Sequence, residues 1–268
     1  MFVHLDNRAL LKITGKDSES FLQSQLSNDV NKLDNSSIQL SAYCQHQGKI
    51  LVLFWLLRSK DDFLLSFPLD LIETVKNRLQ MFILVSDVKI EDVTEKYLQL
   101  GLINENKADA YVLNGQLSLM LVDSQSAEKF TFASRHYWDK ACIDNLIPEV
   151  NSLTTEKFVP QMLNLDIDEI GVSFTKGCYP GQEVVARLHY LGKVKRRLFV
   201  FKSVSEIKVG DDLFCPSSKS ARTCGSVVFQ VKFEADYFCL ATLEVAHKDD
   251  QIYLNNEQGP TLTRINHE

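Results

Sequence analysis

The sequence predicts an α+β fold followed by a small all-β unit, and two patterns carry that reading. Strands and helices mix through residues 1–192 without a regular βαβ rhythm, and from residue 193 onward short strands follow one another with no convincing helix between them. The expected division is therefore 1–192 and 193–268, the second part a small β-barrel or sandwich.

The elements follow from local chemistry. RALLKIT (8–14) runs up to Gly15, and Asp17 or Ser18 then caps a helix whose apolar positions include Phe21, Leu22 and Leu26. Residues 28–37 read as its exit and a polar loop. Strands are expected at 38–44 and 49–58 around a tight turn at 46–48, and again at 62–67. Pro68 sits near the start of a helix, and Leu71, Ile72, Val75 and Leu79 give 70–81 helical spacing. Short strands are expected at 82–85, 88–93, 97–103, 109–113 and 117–122, then a helix over 135–146 carrying Trp138. The all-β part reads as strands at 195–202, 211–215, 223–232, 236–244, 251–254 and 260–265.

Composition excludes whole classes. With 268 residues, 45% hydrophobic and 24% charged, the chain is not disordered. Its longest apolar run, Ile50 to Leu57, falls far short of the roughly 20 residues that cross a bilayer. The N-terminus lacks a targeting pattern, so a soluble cytoplasmic protein that acts as a monomer is expected. Six cysteines at 44, 142, 178, 215, 224 and 239 form no CxxC pair. They read as free thiols in a reducing compartment, and their spacing supports neither a zinc site nor a cluster knot. Net charge is −6, yet residues 192–268 carry +1, and no acidic residue falls between Glu183 and Glu206. Arg187, Lys193, Lys195, Arg196, Arg197 and Lys202 occupy that gap. Such a stretch suits an anionic ligand or RNA, and equally a solvated strand edge.

The most unusual segment is VSFTKGCYPGQEVVAR (172–187). A strand-like VSF enters a bend in which Gly177 and Gly181 permit positive φ or close backbone approach. Glu183 and Arg187 stand four apart, as helical ion-pair partners would. Cys178 is the candidate nucleophile or redox handle, with Lys176 two residues away to lower its pKa. The plain alternative is a buried cysteine packing a strand end. No His/Asp partner lies close in sequence, which leaves a protease-like dyad with little support.

KGCYPGQEVVAR resembles the KGCYxGQExxAR signature of the YgfZ family, folate-binding and tRNA-modification-linked relatives of the glycine cleavage T protein. ALLKITGKDSESFLQSQLSNDV, IPEVNSLTTEKFVPQMLNLDIDEIGVSF and GKVKRRLF are similar to other blocks of that family, so the resemblance spans nearly the whole chain. It implies a T-protein-like α+β region with a central channel, then a C-terminal β-barrel. It implies tetrahydrofolate or a derivative as cofactor, iron–sulfur enzymes or assembly proteins as partners, and Cys178 with Lys176 as the active pair. Trp138 matches a tryptophan tied to the folate pocket and Asp144 a carboxylate that binds the pterin. Tyr179, Gln182, Glu183 and Arg187 complete the implied binding set. Position 8, a second pocket tryptophan in some members, is Arg8 here. T proteins carry acidic residues after the second hairpin turn, whereas GKILVLFW (48–55) has none, so aminomethyl transfer lacks its acid/base group.

Two functions are left in competition. One is a folate-binding accessory protein for iron–sulfur maintenance and tRNA methylthiolation, with Cys178 as the working thiol. The other is a folate-dependent one-carbon transferase. A tRNA-binding edge over 187–202 ranks third.

Overall fold

The structure is a computed structural model that describes residues 1–105, 107–218 and 223–266. In chain order the elements are β1 (Phe2–His4), β2 (Arg8–Thr14), α1 (Ser18–Gln25), β3 (Gln39–Cys44), β4 (Ile50–Ser59), β5 (Asp62–Pro68), α2 (Ile72–Gln80), β6 (Lys89–Asp92), β7 (Tyr97–Ile103), β8 (Ala110–Val112) and β9 (Leu117–Asp123). Then come α3 (Arg135–Asp144), α4 (Gln182–Tyr190), β10 (Arg196–Ser203), β11 (Asp212–Phe214), β12 (Gly225–Phe233), β13 (Asp236–Glu244), β14 (Ile252–Leu254) and β15 (Thr261–Ile265).

The apolar run at Ile50 becomes the strand on which the fold turns. β4 lies inside a five-stranded antiparallel sheet ordered β3-β4-β5-β2-β6, so both of its faces are covered and it needs no polar alternation. The two-residue period still sorts its side chains. Val52, Phe54 and Leu56 face a core closed by Phe21 and Leu22 of α1 and by Val75 and Leu79 of α2. Leu53, Trp55 and Leu57 face the opposite way, into a second core.

That second core joins the rest of the molecule. It takes Val3, Leu117 and Leu119 from a four-stranded sheet, β1-β7-β9-β8, and Trp138, Cys142 and Ile143 from α3. It also takes Leu198, Val200, Val228, Phe229, Val231 and Leu240 from the closed antiparallel barrel β10-β13-β12-β11-β14-β15. Closure leaves the barrel no free edge. No helix among the described residues is long and apolar enough to cross a membrane.

Three local expectations are corrected. Residues 82–85 form a turn, because Leu84 adopts φ +40° and the sheet edge is already taken by β6 on β2. Val85 is left fully exposed there. Residues 172–174 form no strand either. Single bonds hold that segment, with Ser173 N donating to Ser27 O at 3.0 Å and Ser27 Oγ to Gly171 O at 2.6 Å. Asp17 sits at the start of α1 without capping it; its carboxylate accepts from Asp87 N at 2.8 Å instead.

Candidate functional site

The 175–181 bend is pinned at both ends. At its far end Gly181 adopts φ +83° and starts α4, against the β3–β4 hairpin turn. A Cβ on Gly181 would lie 2.4 Å from Gln45 O and 2.8 Å from Gly48 Cα, so two backbones meet with no side chain between them. Helix α4 is then fixed by Val185, which is buried, and by Gln161 Nε2 donating to Val185 O at 2.7 Å. Phe174 stacks on His189 at 3.7 Å between ring centroids. Gly177, by contrast, has open space where a Cβ would stand and no positive φ.

At the near end Lys176 turns away from the thiol. Its Nζ donates to the backbone carbonyls of Gln23 and Leu26, the free acceptors at the C-terminal end of α1, and sits 5.2 Å from the centroid of the buried Tyr179 ring. A cation there satisfies two orphan carbonyls and the negative helix end together. Burial pushes the Lys176 ammonium down to about 8, with the Asp29 carboxylate opposing the shift. Burial likewise pushes the Tyr179 phenol up.

Cys178 is exposed at the tip of the bend. With Gly177 it borders an open hollow of about 530 Å³ whose other wall is the polar face of α1 and its flanks: Lys16, Glu19, Ser20, Gln23, Ser24 and Asn31. Among the described residues no hydrogen bond or ion pair reaches the Cys178 sulfur. The other five thiols are buried. Burial lifts Cys44 and Cys224 to about 12 and raises Cys142 and Cys239 as well, so those thiols stay protonated.

The tryptophan region lies elsewhere. Trp138 is 3% exposed, with its ring against Gly101 and its centroid 5.8 Å from that of Trp55. The space beside it, bordered by Arg8, Trp55, Asp139, Cys142 and Glu149, measures about 10 Å³, the size of one water. Arg8 fills the rest: its guanidinium lies 3.6 Å over the Trp55 ring, and Nη1 reaches Glu149 Oε2 at 2.9 Å. Asp144 is exposed and bound by Lys140 at 2.6 Å. Six residues separate Trp138 from Asp144, which sets them about 120° apart around α3. One points inward and the other outward.

No protein-family model matches the chain. An uncharacterised protein of Haemophilus influenzae is 29% identical over 241 residues, covering 87% of this chain and 85% of that protein. The tRNA-modifying protein YgfZ of Aliivibrio fischeri is 28% identical over 259 residues (87% of this chain, 81% of that protein). Its namesake in Escherichia coli O127:H6 is 28% identical over 290 residues (96% and 86%). The chain is similar to YgfZ proteins over most of its length. Among solved structures, the glycine cleavage system aminomethyltransferase T of Bartonella henselae superposes with a TM-score of 0.72 over 99% of this chain and 84% of that one, at 12% identity. That likeness shows the fold.

The site residues that this similarity implies fall into two separate groups. Cys178, Lys176, Tyr179, Gln182, Glu183 and Arg187 share the bend and α4, whereas Trp138 and Asp144 belong to α3; the cavities at Cys178 and at Trp138 have no bordering residue in common. Glu183 and Arg187 are both exposed, and no ion pair joins them among the described residues. The basic stretch is partly spent on the fold. Arg197 binds Asp166, Arg196 reaches Glu244 Oε1 at 3.5 Å, and Lys202 reaches Asp236 at 3.8 Å. The sequence reading missed the α1 wall of the hollow, although Lys16, Glu19, Ser20 and Gln23 recur at the three-to-four spacing that marks one helix face.

Lys176 therefore ties the bend to α1, and its titration tests this. Its folded pKa is lowered, so the unfolded chain holds that proton to higher pH than the folded chain does. Stability carried by Lys176 is expected to rise as pH climbs from about 8 toward the unfolded value of 10.5. Lys176→Met should lack this rise, so its deficit against wild type should grow by roughly 2–3 kcal/mol across that window. Urea denaturation of both proteins at pH 7.5, below the window, and at pH 10, near its upper end, checks it. A constant deficit would place the amine in water.

Proposed function

We propose that this chain is a folate-binding accessory protein of tRNA modification that supports iron–sulfur enzymes, with Cys178 as its working thiol. The observation that carries the reading is the contrast among six cysteines: five are buried, and the one inside KGCYPGQE stands exposed over a polar hollow. The naming of relatives as tRNA-modifying proteins supports the general role. Aminomethyl transfer finds less support, because residues 50–57 form the doubly covered strand β4 and present no carboxylate.

The residues around Trp138 do not fit a pterin, because both ring neighbours are in place and Arg8 covers Trp55. The open space nearby is a hollow of about 230 Å³ on the other side of Arg8, bordered by Leu5, Thr94, Tyr97 and Gln99.

The two parts are tested separately. In cells lacking their own copy, the wild-type chain should restore tRNA methylthiolation, and Cys178→Ser should fall to the level of an empty vector. Full restoration by Cys178→Ser would remove the thiol from the account. Tetrahydrofolate titrated into the pure protein should change Trp55 and Trp138 fluorescence saturably; a flat signal would remove folate and leave the thiol standing.

A further inference from the structure

A second set of reactive side chains meets at one end of the barrel, far in sequence from the Cys178 bend. Cys215 leaves β11 there, and His247 closes a 3₁₀ turn, Val245–His247, that leaves β13. Asp250 Oδ2 lies 2.9 Å from His247 Nδ1 and 3.6 Å from Cys215 Sγ, and it also accepts from the Ser217 hydroxyl. The sulfur, the imidazole nitrogen and the carboxylate oxygen all fall within 4.8 Å of one another. Cys215 is 3% exposed and the His247 side chain 16%.

Protons satisfy this arrangement poorly. A carboxylate oxygen has two lone pairs, and here three donors converge on one. A cation at the centre resolves the conflict, because thiolate, neutral imidazole and carboxylate can then all aim lone pairs at it. With bonds of about 2.3 Å to sulfur and about 2.0 Å to nitrogen or oxygen, tetrahedral zinc needs donor separations of about 3.3–3.6 Å. The sulfur–carboxylate and imidazole–carboxylate separations, 3.6 Å and 2.9 Å, lie within a few tenths of an ångström of that range, and the sulfur–imidazole separation, no more than 4.8 Å, closes to it as the ion draws the two ligands in.

We propose that Cys215, His247 and Asp250 form a zinc site, with the fourth position open to water beside the Ser217 hydroxyl. The mixed sulfur, nitrogen and oxygen set suits zinc and excludes magnesium or calcium, which take oxygen ligands. Glu244 Oε2 faces His247 Nε2 at 3.7 Å, the placement of an outer carboxylate that orients a ligating imidazole with Nδ1 toward the metal. Arg196 neighbours the same Glu244, and Lys193 and Lys195 border an open hollow of about 740 Å³ that gives access to His247 from solvent. A hydrolytic triad is a poorer reading, since Ser217 and Asp250 address the same imidazole nitrogen and leave no relay through the ring. As the S–Zn bond forms, the Cys215 thiol gives its proton to solvent, so one proton is released per ion bound. The sequence concealed the site because Cys215 and His247 lie 32 positions apart, outside the short pairs that mark zinc motifs.

The full chain, stripped with a chelator, is titrated with Co²⁺ and then with Zn²⁺. One cobalt per chain is expected, with a near-ultraviolet thiolate-to-cobalt band and visible tetrahedral bands that zinc abolishes. Cys178→Ser should keep these bands, Cys215→Ser should lose the thiolate band, and Asp250→Asn or His247→Ala should weaken binding at least tenfold. Circular dichroism reports whether each variant is folded. Should Cys215→Ser unfold, the Asp250 and His247 variants decide. Absence of saturable one-to-one binding would overturn the proposal, as would bands lost in Cys178→Ser but kept in Cys215→Ser, or wild-type affinity in both Asp250→Asn and His247→Ala.

Discussion

Arg8→Met is expected to destabilise the protein by about 3–5 kcal/mol, the range for removing one partner of a buried ion pair. The guanidinium is 3% exposed and every face of it is engaged. Nε donates to Ser66 Oγ at 2.8 Å, Nη2 to Ser66 O at 3.0 Å and Nη1 to Glu149, while the plane covers Trp55. Ser66 Oγ in turn reaches Gln99 Oε1, whose amide returns to the Arg8 carbonyl at 2.8 Å. Burial pushes Arg8 down and Glu149 up, and each charge partly offsets the shift of the other. Methionine fills the volume but leaves Glu149 without its counter-charge.

That asymmetry makes the pair testable by a double-mutant cycle. Arg8→Met and Glu149→Leu should each cost several kcal/mol, and the double variant should recover most of the loss. The pH dependence has a definite sign. Glu149 already titrates above the ordinary carboxylate value, and without Arg8 it titrates higher still, so the folded variant takes up a proton sooner than its unfolded chain. The deficit of Arg8→Met should therefore shrink as pH falls from 8 to about 5. Urea midpoints of the four proteins at both pH values check this. Single variants costing under about 1 kcal/mol, adding without coupling, would show the network to be wet and dispensable.

The same residue shows where sequence reasoning ends. A strand at 8–14 and the doubly apolar β4 are legible because period and turn chemistry act locally. The barrel is legible because six short strands with turns between them have few other solutions. The partner of Arg8 is Glu149, 141 positions away, and no local pattern announces it. Direction is also hidden. KGCYPGQE says that the chain bends sharply, but it does not say that Lys176 points to α1 while Cys178 points to solvent. Residues 82–85 have strand composition and lack an edge to pair with, a fact that lives in the sheet order rather than in the segment. Trp138 and Asp144 were joined by resemblance, and helical geometry separates them.

The two glycines of the motif should respond to alanine in opposite ways, which isolates what the bend requires. At Gly181 an L-residue would hold a left-handed conformation at a cost of about 1–2 kcal/mol. Its Cβ would press on Gln45 O and Gly48 Cα, both backbone atoms that cannot rotate away, which adds about 1–3 kcal/mol. Gly181→Ala should therefore cost about 2–5 kcal/mol, the sum of these two ranges. It should also separate the bend from the hairpin turn, altering the rate at which native Cys178 is alkylated and failing to restore methylthiolation in cells. Gly177→Ala meets no atom within 4 Å and needs no positive φ, so its stability should stay within about 1 kcal/mol of wild type. Its position beside Cys178 still matters, because a methyl group there narrows the mouth of the hollow. If the thiol works inside that hollow, Gly177→Ala should slow alkylation by bulky reagents more than by small ones at unchanged stability. Equal sensitivity of the two glycines in a denaturation experiment would mean that the bend is held by something other than the meeting of backbones at Gly181.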